Sequence, residues 1–127
     1  MNAPLALVIE DDVDLSLIFS EALQAAQFEV EIISDGGQAS TRLKDVLPVV
    51  VVLDLHLPNL SGEALLTQIR ADARLAAARV IIATADPVMG EALAGSADLV
   101  LIKPISFTQL RDLALRLKTQ TVSRDTA

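Results

Sequence analysis

Five apolar residues, Val49-Val50-Val51-Val52-Leu53, run directly into a single carboxylate at Asp54. A short, continuous, β-branched run of this kind reads as a strand buried on both faces, as in a parallel sheet covered by helices. Pro48 before it and Pro58-Asn59 after it mark its limits. An unpaired charge at the end of a buried strand is costly. Asp54 therefore needs a partner, a metal or a reaction.

The same pattern recurs along the chain. Leu5-Ala6-Leu7-Val8-Ile9 stops at Glu10-Asp11-Asp12, Val80-Ile81-Ile82-Ala83 stops at Thr84, and Leu99-Val100-Leu101-Ile102 stops at Lys103-Pro104. Phe28 to Ile33 alternates and reads as an edge strand. Helical spacing separates these runs. Leu15, Ile18, Phe19, Ala22, Leu23 and Ala26 form one stripe, behind acceptors at Asp12 and Asp14. A weaker helix follows the expected turn Ser34-Asp35-Gly36-Gly37, and Ser61 is a cap for another. Pro87 to Ala94 predicts a short helix with Gly90 inside it and Gly95 as its terminator. Ser106 and Gln109 open the closing helix as a capping box. Five alternations of strand and helix predict an α/β fold with a parallel sheet covered on both faces.

Composition narrows the function. Aromatics are 2% of 127 residues, so the core must be aliphatic. A formal charge of −7 with scattered Lys and Arg argues against direct nucleic-acid binding and favours a cation or a basic partner surface. The absence of cysteine excludes disulfides and thiolate metal sites. Met1-Asn2-Ala3-Pro4 lacks a basic n-region, and no apolar run approaches the ~18 residues of a membrane span. A soluble, cytoplasmic protein without membrane insertion is the expectation. Residues 1–120 are read as the folded unit and 121–127 as a polar, disordered tail.

Glu10-Asp11, Asp54, Thr84 and Lys103 each stand at the carboxyl end of a different apolar strand. In an open parallel sheet those ends share one edge, where ligands bind. Carboxylates meeting there repel unless a hard cation joins them, and Mg²⁺ suits because it takes carboxylates, waters and phosphate oxygens. A lysine and a hydroxyl facing the same point would cradle a phosphoryl group, and a carboxylate can be its acceptor.

These positions resemble the receiver domains of two-component response regulators over nearly the whole chain. The resemblance implies a flavodoxin-like doubly wound sheet of five strands in the order 2-1-3-4-5 with five helices. It implies that Glu10 and Asp11 hold Mg²⁺, with Asp11 the nearest ligand and Glu10 acting through water. Asp54, followed by the matching Pro58 and Gly62, becomes the phosphoacceptor and a metal ligand, and the His56 backbone carbonyl completes the protein ligands. Thr84 and Lys103 contact phosphoryl oxygens, and the Lys103–Pro104 peptide is cis. The implied partners are a histidine kinase or a histidine phosphotransferase, and an unidentified downstream protein. The resemblance further implies a domain that signals and assists its own phosphorylation and dephosphorylation rather than an enzyme in its own right.

Two features depart from the family. The aromatic usually found three residues before the lysine is Val100 here, and the stretch from Thr84 to Lys103 is about three residues short, nearly one helical turn. Phosphorylation is therefore expected to be read out by reordering the short helix rather than by an aromatic rotamer. His56 is expected to face solvent; the competing expectation lays its imidazole over the site, altering hydrolysis. A detached receiver half of a DNA-binding regulator is an alternative. A small Mg²⁺-dependent phosphatase resembling the haloacid dehalogenase group ranks lower, because the second acid of that group is replaced by His56. Neither a GxGxxG nor a Walker A sequence supports nucleotide binding.

Overall fold

The computed structural model describes residues 3–126, with side chains described for 3–118. Five parallel strands form one sheet: β1 (Leu5–Ile9), β2 (Glu29–Ile33), β3 (Val50–Leu53), β4 (Arg79–Thr84) and β5 (Leu99–Ile102). Their order is β2-β1-β3-β4-β5, the doubly wound order expected. The helices are α1 (Val13–Ala25), α2 (Gly36–Leu43), α3 (Gly62–Ala71), α4 (Pro87–Leu93) and α5 (Phe107–Thr126). The α5 backbone continues to Thr126. The side chains on which the expected polar tail rests lie outside the described residues. Among the described residues no helix is long and apolar enough to cross a membrane.

The valine run shows why the strands must be parallel and covered. Val50 and Val52 enter a core shared with Phe19 and Leu23 of α1 and Leu110 and Ala114 of α5. Val51 and Leu53 enter the opposite core, with Leu43 of α2 and Leu65 and Ile69 of α3. All four are at most 1% exposed, so neither face of β3 can take a polar residue. Each such side chain contributes about 1.5–3 kcal/mol by burial.

Helix starts follow the sequence closely. Asp12 accepts from the Leu15 N–H, Ser61 from Ala64 and Ser106 from Gln109, as the acceptor pattern predicts. Two local expectations differ. The Ser34–Gly37 turn is a helix start, in which Asp35 caps α2 by accepting from the Gln38 N–H. Gly95 does not terminate α4, because the helix ends at Leu93 and tightens into a 3-10 turn, Ala94–Ser96, that needs no left-handed residue. A second 3-10 turn, Ala73–Leu75, capped by Asp72, was not anticipated.

Asp98 fixes the amino end of β5. Its carboxylate accepts from the Val80 N–H at 2.7 Å, Arg70 Nη2 at 2.9 Å and Arg79 Nη1 at 3.0 Å. Burial alone would raise this carboxyl, but the three donors outweigh it and hold it below its ordinary value of 3.8. Arg79 keeps two other nitrogens, Nε and Nη2, buried with no hydrogen-bond partner. Removing Asp98 would strip Arg79 of its counter-charge, and breaking a buried pair costs about 3 kcal/mol. Asp98→Ala is expected to lower the unfolding free energy by about that amount at neutral pH, measured by urea denaturation. A carboxyl that titrates lower when folded stabilises above its unfolded value, and that contribution is lost as pH falls through the folded one. The gap between wild type and variant should therefore narrow on acidification below about pH 4; a constant gap would contradict it.

Candidate functional site

The strand order decides where the polar residues meet. The chain leaves β1 for β2 on one side and returns to β3 on the other, so the order reverses between β1 and β3. The carboxyl ends of those two strands open a crevice at that reversal. Glu10 and Asp11 follow β1, and Asp54 follows β3. Backbone bonds carry the ladder past the strand ends: Asp54 N–H donates to the Ile9 carbonyl at 2.9 Å, and Glu10 N–H to Ile33 at 3.1 Å. Gly62 completes the floor. A Cβ there would collide with the Asp54 carbonyl oxygen and lie 2.7 Å from Leu55 Cα, so α3 can start this close only on glycine.

Glu10, Asp11 and Asp54 each offer a carboxylate oxygen within 4.8 Å of the others. Glu10 is 2% and Asp54 5% exposed, whereas Asp11 lies open to solvent. Lys103 reaches in from β5, donating to Glu10 Oε1 at 2.7 Å with Nζ 3.6 Å from Asp54 Oδ1. Burial pushes the Glu10 carboxyl up to about 7, against the Lys103 hydrogen bond and the Asp12 N–H that favour its charge. Burial would lower the Lys103 ammonium, but Glu10 and Asp54 outweigh it and raise it above its usual value. One lysine facing three acids leaves a net negative pocket of oxygen donors. That donor set fits a hard divalent cation rather than a soft one.

Thr84 ends β4 fully buried, and its hydroxyl accepts from the Asp86 N–H at 3.0 Å. Asp86 caps α4, accepting from the Met89 N–H, with Pro87 in the first turn. His56 is solvent-facing, as expected, but not unpartnered. Its Nε2 lies 3.6 Å from Asp86 Oδ2, with the side chain 62% exposed. The imidazole thus reaches from the loop after β3 to the start of α4, and the His56 N–H leans back toward Asp54 Oδ1 at 3.4 Å. On the far side of Thr84, α4 packs close through Gly90. A Cβ at Gly90 would lie 2.9 Å from Val100 Cγ1 and 3.2 Å from Thr84 Cγ2. The missing aromatic at Val100 and the glycine in α4 are therefore two sides of one contact.

The structure gathers Glu10, Asp11, Asp54 and Lys103 at one point and seats Thr84 at the next strand end. The Lys103–Pro104 peptide is cis. Sequence reasoning missed Asp86 and Asp35. An aspartate followed by a proline at the first helical position is a readable signal for Asp86 as a cap. Nothing in the sequence shows that either aspartate also meets the loop beyond Asp54.

Comparison with known proteins agrees with this geometry. The family model for the response regulator receiver domain matches residues 6–115. The phosphate regulon transcriptional regulatory protein PhoB of Rhizobium meliloti is 34% identical over 84% of this chain and 48% of its own length. The DNA-binding response regulator MtrA of Mycobacterium tuberculosis is 32% identical over 82% of this chain and 46% of its own. The chain thus spans about half the length of the curated relatives it matches. Among solved structures, the signal receiver domain of a putative Luxo repressor protein from Vibrio parahaemolyticus superposes with a TM-score of 0.84 at 27% identity, covering 98% of this chain and 96% of that one. The receiver domain of sensor histidine kinase PA1611 from Pseudomonas aeruginosa, with magnesium coordinated in its active site cleft, superposes at 0.81 and 23% identity, covering 91% and 97%. The switch-point carboxylates, the facing lysine and these likenesses converge: the chain belongs to the response regulator receiver domain family.

Proposed function

We propose that Asp54 is the phosphoacceptor of this receiver, taking its phosphoryl group from a phosphohistidine on a histidine kinase or histidine phosphotransferase. The convergence of Glu10, Asp11 and Asp54 around Lys103 carries this reading. An Asp54 carboxylate oxygen attacks phosphorus, the P–O bond forms as the P–N bond breaks, and the departing imidazole nitrogen takes a proton from solvent. Asp11, Asp54, the His56 carbonyl and, through water, Glu10 are the groups that would hold Mg²⁺, which neutralises charge on the transferring phosphoryl oxygens when bound. Lys103, already beside Asp54, follows onto one phosphoryl oxygen. The Thr84 hydroxyl, which accepts from the Asp86 N–H, turns to donate its own proton to another phosphoryl oxygen. The domain supplies positioning and electrostatics for its own modification and signals by protein contact.

The read-out passes into α4. This helix has seven residues, and Gly90 within it weakens its intrinsic stability. Movement of Thr84 removes the methyl against which Gly90 packs, so phosphorylation loosens or re-seats α4. A second reading, favoured by the twofold length of relatives such as the DNA-binding MtrA, makes the chain the receiver part of a longer DNA-binding regulator. The mass of the native protein distinguishes the two.

Incubation with a small phosphodonor should give a single phosphoryl adduct by intact mass, dependent on Mg²⁺ and lost in Asp54→Ala; persistence in that variant would refute the acceptor assignment. His56→Asn and Asp86→Asn should each shorten the phospho-Asp54 lifetime by opening the bridge beside the site. Lifetimes equal to wild type would remove His56 from the mechanism. Amide exchange in α4 should change on adding a phosphoryl mimic, and equal protection in both states would exclude α4 as the read-out.

A further inference from the structure

We infer that Asp35, the cap of α2, is a positioning residue for the metal site, acting through Asn59 on the loop that carries His56. The inference rests on the reading of the His56 carbonyl as a ligand. The loop of residues 55–61 is held at both ends. At its start the Leu55 carbonyl accepts from the Gly62 N–H at 3.0 Å. At its tip the Pro58 carbonyl accepts from the Gly36 N–H at 3.0 Å and from the Leu60 N–H at 2.8 Å. A Cβ at Gly36 would collide with the Leu60 carbonyl, so α2 begins in direct contact with the loop.

One carboxylate joins these parts. Asp35 Oδ1 accepts from the Gln38 N–H at 2.9 Å, capping α2, while Oδ2 accepts from Asn59 Nδ2. Both bonds hold the Asp35 carboxyl below its ordinary range, the Gln38 bond more than the Asn59 bond. Asn59 adopts a left-handed conformation with φ 70°, which suits asparagine and turns its amide toward Asp35. Leu57 and Leu60 pack on the core beneath α2 and α3. His56 therefore lies between an anchored Leu55 and an anchored Leu57-Pro58, and the direction of its carbonyl is set before any cation arrives. Ordering a loop on binding weakens affinity, and a loop ordered in advance avoids that loss.

Asp35→Ser separates the two roles, because serine keeps an oxygen for the Gln38 N–H but has none left for Asn59. Asn59→Gly keeps the positive φ and removes the amide. Mg²⁺ binding to the full chain is followed by amide shifts at Glu10, Asp11, Asp54 and His56, and exchange of the Gly36 N–H is measured without metal. Each variant should weaken Mg²⁺ binding roughly tenfold, as loss of an outer-shell partner does. The double variant should be no weaker than either single one. Gly36 exchange should accelerate while the Gln38 N–H stays protected in Asp35→Ser. The reciprocal pair Asp35→Asn with Asn59→Asp restores a donor and an acceptor and should recover affinity. Wild-type Mg²⁺ affinity in both single variants, with faster Gly36 exchange, would overturn the inference while leaving the proposed function intact. Absence of Asp54-dependent Mg²⁺ binding in the wild type would overturn both. Should Asp35→Ser not fold, Asn59→Gly carries the same comparison.

Discussion

Burial of the sheet on both faces governs where chemistry can occur in this molecule. With the residues of β3 closed off above and below, a charged side chain is tolerated in that strand only where it ends. The reversal of strand order then selects which ends open to solvent together. Asp54 stands at that opening, one strand away from Glu10 and two from Lys103, because β3 lies between β1 and β4. The acidic cluster and its lysine are consequences of topology before they are consequences of chemistry.

The same burial explains the electrostatic tension of the site. Glu10 is more deeply enclosed than a carboxylate favours, and Lys103 compensates only part of the loss. A cation of charge two would complete the balance and free the ammonium for a further anion. In this sense Lys103 acts as a resident counter-ion to Glu10, already in place beside the Asp54 carboxylate.

How much of this was legible in the sequence depends on the range over which each interaction acts. Asp54, Thr84 and Lys103 could be located because each interrupts an apolar run, a signal contained within a few residues. Asp12, Ser61 and Ser106 were readable as caps for the same reason. Asp35 was read as part of a turn because its second partner, Asn59, is 24 residues away. Gly90 looked like a defect in a helix, and its use became visible only when Val100 and Thr84 were placed beside it. Gly95 misled because a glycine after a helix ordinarily marks a left-handed stop, whereas the chain here tightens into a 3-10 turn.

The anchoring of β5 has a consequence for how motion can leave the site. At one end, Asp98 exchanges hydrogen bonds with Val80, giving its N–H to the Val80 carbonyl and accepting the Val80 N–H on its side chain. At the other, the Lys103 N–H donates to the Thr84 carbonyl at 2.8 Å. A four-residue strand tied to its neighbour at both ends is held in register with it. Under the proposed switch, a displacement at Thr84 would pass into α4, which rests on Thr84 and Val100 through Gly90. In mechanical terms β5 would then be the fixed bearing and α4 the moving part.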